Sequence, residues 1–168
     1  MNKLTRWMRH LWLDADDARR TLTPAGLQRL EALVAQSEAR HLGELRLCVE
    51  AGLPAAALWR GVDARQRAVA VFGDLRVWDT EHNNGVLIYL LLADRRIEIL
   101  ADRGLRERVP ATTWQAMVER LGQQLSQGDF ETGLAAAIHD VERLLKQFFP
   151  AATHQRNPNE LPDAVVLI

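Results

Sequence analysis

Between residues 78 and 85 the chain reads Trp78-Asp79-Thr80-Glu81-His82-Asn83-Asn84-Gly85. Asp79, Glu81, Asn83 and Asn84 offer closely spaced hard oxygens, the donors that calcium and magnesium prefer, and of the two cations calcium is the better match. Gly85 would allow a sharp turn behind them. The alternation from Asp79 to Asn83 resembles an EF-hand loop, but the glycine comes one position late and the twelfth position falls on Leu90 instead of a bidentate Glu, which excludes that motif. The competing reading is that Asp79 and Asn84 bond to their own loop backbone, as Asx residues do ahead of a strand.

A second polar stretch, Ala101-Asp102-Arg103-Gly104, adds a carboxylate and, with Arg106, two guanidinium groups. Arg103 and Arg106 could hold a phosphate or carboxylate through paired hydrogen bonds, or stand as solvated loop charges. Hydrolysis at such a place would use a water polarised by a bound cation, with Asp79 or Glu81 as ligand and Asp102 as base. His82 could pass a proton near neutral pH or be an exposed loop histidine, and Trp78 could wall the site or anchor the loop by burial.

Covalent routes find no support. Cys48 has no arginine at phosphate-loop spacing, and Ser37 and Ser126 fall within helical patterns. Cys48, as the lone cysteine, reads as a small core residue, and it excludes an internal disulfide. Leu13-Asp14-Ala15-Asp16-Asp17 is superficially similar to an aspartate-nucleophile phosphatase motif, yet lacks the small β-branched residue after it and a strand before it, so helix capping explains it better. His10, His41, His82, His139 and His154 show no two-histidine metal spacing, which argues against a zinc hydrolase.

The elements that must position these loops follow from periodicity. Thr23-Pro24 caps and opens a helix carrying Leu27, Leu30, Leu33 and Val34, which Gly43 is expected to end. Leu45, Leu47 and Val49 alternate with Glu44, Arg46 and Cys48 as in a strand, broken at Ala51-Gly52-Leu53-Pro54. A further helix is expected from Asp63 through Val69, Phe72 and Leu75, with Trp59 to Gly61 unassigned. Val86 to Leu92 is too apolar to alternate, as in a strand covered on both faces, and with Ile97 to Leu100 it makes a hairpin across Ala93 to Arg96. Two helices follow, Thr113 to Gln127 and Asp129 to Phe149, and Ala164 to Ile168 could add an edge strand.

Joined through a helix, the first strand and Val86–Leu92 should lie parallel in a βαβ unit, the hairpin then makes the sheet mixed, and helices should cover both faces. The expected fold class is therefore α/β, a three-layer α/β/α sandwich. In that topology Asn83-Asn84-Gly85 meets Asp102-Arg103-Gly104, and Glu44 reaches the same end of the sheet.

Taken in order, Asn83-Asn84-Gly85-Val86-Leu87-Ile88, Asp94-Arg95-Arg96-Ile97-Glu98-Ile99, Asp102-Arg103-Gly104-Leu105 and Gly128-Asp129-Phe130-Glu131-Thr132-Gly133-Leu134 resemble the TPM domain. The resemblance covers about residues 20 to 147, and Asn159-Glu160-Leu161-Pro162 is similar to tails of bacterial members. It implies an α/β sandwich of the TPM type, divalent-cation binding and, for some members, acid phosphatase activity. Those members include thylakoid-lumen proteins of photosystem II repair and bacterial envelope proteins. The chain departs from the pattern after Leu105, where Arg106-Glu107-Arg108-Val109-Pro110 replaces the usual Glu and Leu-Thr-Asp segment; Glu107 could substitute one residue late.

The organisation expected is an amphipathic basic segment over 1–19, a TPM-like domain over 20–149 and an irregular tail over 150–168. Two function classes follow: a cation-binding domain acting beside a membrane or a protein partner, and a weak metal-dependent phosphatase. At 168 residues, 48% hydrophobic and with a net charge of −1, the chain can bury one core, and its dispersed cations argue against nucleic acid. The interleaved Lys3, Leu4, Arg6, Trp7, Met8, Arg9, Leu11 and Trp12 form no signal peptide, and no run is long enough to span a bilayer, so a cytoplasmic location is expected. Residues 3–13 instead predict an amphipathic helix, resting on the domain itself, on a protein partner or peripherally on an anionic membrane.

Overall fold

The computed structural model describes residues 3–13, 15–152 and 157–168, so Asp14 and His154 lie outside the described residues. In chain order the elements are α1 (Lys3–Trp12), α2 (Ala15–Thr21), α3 (Pro24–Glu38), β1 (Leu45–Glu50), α4 (Ala55–Trp59), α5 (Ala64–Asp74), β2 (Val86–Leu91), β3 (Arg96–Ala101), α6 (Arg103–Arg106), α7 (Ala111–Ser126), α8 (Phe130–Phe148) and β4 (Val166–Leu167). The sheet order is β3-β2-β1-β4. β1 runs parallel to β2 with Leu45 opposite Val86, and β3 returns antiparallel with Ala101 opposite Val86. The short β4 pairs parallel to β1 at Cys48 and Val49.

Alternation along the strands divides the core. Leu45, Leu47, Val49, Val86, Ile88 and Leu90 face a cluster with Leu30, Val34, Leu121, Ile138 and Val141 of α3, α7 and α8. Cys48, Leu87, Tyr89 and Leu91 face the other way, toward Ala57, Ala68 and Val71 of α4 and α5. Two helical layers around a small mixed sheet make the α/β sandwich. Asp63 opens α5 with a complete capping box, its carboxylate accepting the Gln66 amide at 2.7 Å.

Several local expectations change. β1 reads as a strand with one polar face, yet all six residues are buried, because helices cover both sides. Gly43 does not end α3: the helix stops at Glu38 with Ala39 in a right-handed conformation. Gly43 instead sits where an added Cβ would lie 2.3 Å from Leu145 Cδ2, so its role is close packing against α8. The buried face of α5 is Ala64, Ala68 and Val71, while Val69 is 54% exposed. Small residues let this helix lie close over the sheet, the expected Phe72 and Leu75 pack half-buried against the same cluster, and of the three expected apolar residues only Val69 turns outward. Asp129 precedes α8 but makes no side-chain capping bond. The 55–59 stretch is helical, and Trp59 is 84% exposed. No described helix is long and apolar enough to cross a membrane.

Candidate functional site at the hairpin loops

The two loops of interest meet where the β2–β3 ladder ends. The Asp102 amide donates to the Gly85 carbonyl and the Gly104 amide to the Asn83 carbonyl, each at 2.9 Å, and the Val86 amide bonds the Glu44 carbonyl at 2.8 Å. Loop contact this close requires glycine. A Cβ on Gly85 would lie 1.9 Å from the Val77 carbonyl oxygen, and one on Gly104 2.6 Å from that of Asn83. Gly85 therefore serves close approach, whereas the left-handed turn residue is Asn83, at φ 51°.

Asn84 is fully buried. Its Nδ2 donates to the Leu42 carbonyl at 2.7 Å and its amide to Thr80 Oγ1 at 3.1 Å. Its Oδ1 is buried without a hydrogen-bond partner. Asp102 caps α6, Oδ1 accepting the Arg103 amide at 2.7 Å, and its Oδ2 is likewise buried and unpartnered. Arg103 bridges the loops, donating from Nε to Asn83 Oδ1 at 2.9 Å.

The remaining expected residues lie outside this junction. Asp79 is exposed and paired with Arg76 Nη2 at 3.1 Å. Glu81 is exposed, and its amide donates to the Glu160 carboxylate at 3.1 and 3.2 Å. Arg106 lines a groove between β3 and α7 that includes Ala101 and Trp114. His82 is exposed, and Trp78 is 51% exposed, so it is not a buried anchor. Among the described residues no group of three or more His, Cys, Asp or Glu is arranged to hold a metal ion.

Sequence reasoning missed a buried charged cluster beside the junction. Glu44 is fully buried; Oε2 accepts the Leu161 amide at 3.1 Å, and burial pushes its carboxyl above the ordinary range. Glu38 accepts the Leu45 amide at 2.9 Å, and burial, then the facing Asp163 carboxyl, raises it to about 9. Arg46 lies buried near them with Nε and Nη1 unpartnered, its pKa lowered by burial. Alternation with Leu45 and Leu47 makes Glu44 and Arg46 look like a solvent face, so periodicity hides the cluster. Cys48 is a core residue, its thiol pushed up to about 12 by burial, which makes it a poor nucleophile.

Comparison with known proteins agrees with this architecture. The BA42 protein of the psychrophilic bacterium Bizionia argentinensis, solved by NMR, is similar in structure with a TM-score of 0.75 and 27% identity, over 86% of this chain and 94% of that one. No curated protein matches the chain. The family model described as TPM domain matches residues 15–144, most of the chain, and this protein therefore belongs to the TPM domain family.

Proposed function

We infer that this TPM domain binds a divalent cation, calcium before magnesium, where the 79–85 loop meets Asp102, and that it works beside a membrane or a protein partner. The observation carrying this reading is the pair of buried side-chain oxygens without partners, Asn84 Oδ1 and Asp102 Oδ2, on segments joined across the hairpin. An unsatisfied buried acceptor costs about 1–3 kcal/mol, and a hard cation satisfies oxygens of this kind. Asn84 and Asp102 would hold the ion, and Asp79 and Glu81 would complete the set. The Asp79–Arg76 pair is exposed and holds Asp79 only weakly against such a change.

Arg103, fixed beside Asp102 by Asn83, would favour an anion next to the cation, with Arg106 one helical turn further on. That neighbour is what supports the second reading, a weak metal-dependent phosphatase.

The test is a calcium and magnesium titration of metal-stripped protein by two-dimensional NMR. Saturable shifts confined to residues 79–85 and 102–106, abolished in Asp102→Asn, are expected. No shift at millimolar cation would refute the cation reading. Hydrolysis of p-nitrophenyl phosphate that requires both Asp79 and Asp102 would favour the phosphatase instead.

A further inference from the structure

Helix α1 is mounted with its polar face inward. Arg6 donates from Nε and Nη2 to the Asp94 carboxylate at 2.9–3.1 Å and from Nη2 to the Val62 carbonyl at 2.9 Å. His10, 4% exposed, bonds Asp94 through Nε2 and accepts the Leu53 amide at Nδ1. Gly52 permits this approach, since a Cβ there would lie 2.7 Å from the His10 carbonyl oxygen. The opposite face is apolar and open: Leu4 is 68% exposed, Met8 52%, Leu11 62% and Trp12 81%. At about 100° per residue these four share an arc roughly 100° wide. Trp7 stacks edge-on against Trp59 at 6.4 Å between ring centroids, and Trp59, itself 84% exposed, extends the arc onto α4.

An ordinary surface helix buries such a stripe, so an arrangement that pins the polar side and presents the apolar one marks a contact surface. We propose that this face, Leu4, Met8, Leu11, Trp12 and Trp59, seats the protein on an anionic lipid bilayer.

Three observations favour a bilayer over a protein. Helix α1 contains no Asp or Glu; Arg6 and His10 are turned inward onto Asp94, but the helix also carries Lys3 and Arg9, and Arg60 follows Trp59, so the charge bordering the face is positive and complements anionic headgroups. Indoles such as Trp12 and Trp59 sit well at the headgroup level. The face comprises five large side chains, whereas a stable protein interface uses about 20–30 residues a side. A bilayer accepts individual side chains without needing a complementary surface. The inference commits the membrane part of the functional reading and stands apart from the cation site.

The experiment is co-sedimentation of the full chain with vesicles of mixed phosphatidylcholine and phosphatidylglycerol, and of phosphatidylcholine alone, in the presence of a chelator so that calcium plays no part. Binding to the anionic vesicles, weaker binding to the neutral ones and a loss of at least about tenfold in Leu11→Ser/Trp12→Ser are expected, since that change removes two inserting side chains. Val69→Ser, on the exposed side of α5, should bind like the parent, and an NMR fingerprint of the double variant checks its fold. Absence of vesicle binding, or binding unaffected by the double change, overturns the proposal. So does self-association abolished by the double change without vesicle binding, which would assign the face to a second copy of the chain.

Discussion

His10 Nε2 lies 3.0 Å from Asp94 Oδ1 while its Nδ1 accepts the Leu53 amide at 2.8 Å, so one imidazole ties α1 to both the β2–β3 turn and the loop after β1. An amide hydrogen pointing at Nδ1 leaves that nitrogen as acceptor, and Nε2 then carries the proton donated to Asp94. Asp94, also held by Arg6, has its carboxyl below the ordinary range: burial opposes the shift, and the hydrogen bonds from Arg6 and His10 outweigh it.

Asp94→Ala should therefore free α1 while leaving the sheet intact. Loss of an ion pair and its hydrogen bonds at a side chain only 10% exposed costs roughly 2–3 kcal/mol. Amide exchange is expected to accelerate along Lys3–Trp12 and stay slow in β1 and β2. Unchanged protection in α1 would show that the Trp7–Trp59 contact, not Asp94, holds the helix.

On the α5 side of the sheet, Glu50 is buried between two donors, Tyr89 Oη at 2.6 Å and Arg67 Nε at 2.8 and 3.1 Å. Removing the phenol leaves the arginine in place, so Tyr89→Phe should cost about 1 kcal/mol. Arg67→Ala strands a buried carboxylate and should cost about 3 kcal/mol or more. Urea unfolding of both single variants and the double variant checks the order; equal costs would mean that Arg67 contributes little beyond a neutral hydrogen bond.

Much of this fold was legible in the sequence because long apolar periodicities leave few alternatives. Val86–Leu91 had to be a doubly covered strand, and the short polar break before Ile97 had to be a hairpin, which together forced the two site loops into contact. What stayed hidden depended on tertiary placement. Nothing in the alternation of β1 says that Arg46 and Glu50 are buried, because a polar residue on a covered face looks like one on an open face until its surroundings are known, Arg67 and Tyr89 for Glu50 and the Glu38 and Glu44 carboxyls for Arg46. Asp79 shows the same limit: chemistry groups it with Asn84, and only the fold reveals the exposed pair that its carboxylate makes with Arg76, three residues upstream. The junction formed by Asn84 and Asp102 was readable from the hairpin, and the orphaned oxygens within it were not.

Gly85 offers a sharper test of loop contact. Any Cβ there would be driven 1.9 Å from the Val77 carbonyl oxygen, a rigid backbone atom, whereas Gly73 has open space around it. Gly85→Ala should destabilise the protein by roughly 2–3 kcal/mol through forced displacement of the 77–85 loop. Gly73→Ala, inside helix α5, should be neutral or stabilise by up to about 1 kcal/mol. Thermal unfolding of the two variants side by side decides; a Gly85→Ala protein as stable as the parent would show that the loop yields without cost.

Glu38 gives the fold a pH dependence of definite sign. Burial and the facing Asp163 and Glu44 carboxyls raise it from 4.5 to about 9, against the Leu45 amide, which lowers it; Arg46 is the nearby cation. Between those values the unfolded chain has released the proton that the folded chain keeps, so unfolding releases a proton and stability falls as pH rises. His41 works at the other end. Burial lowers it to about 4 from 6.5, so the unfolded chain takes up a proton first, and stability falls as pH drops through that window. Glu38→Gln keeps an oxygen for the Leu45 amide and an N–H for Asp163 while removing the titration. The variant should match the parent near pH 4.5 and exceed it by roughly 1–3 kcal/mol at pH 8, with the gap widening between. Urea unfolding across pH 4.5–9 measures that gap, and a constant difference would mean that Glu38 ionises in the folded protein as readily as in the unfolded one.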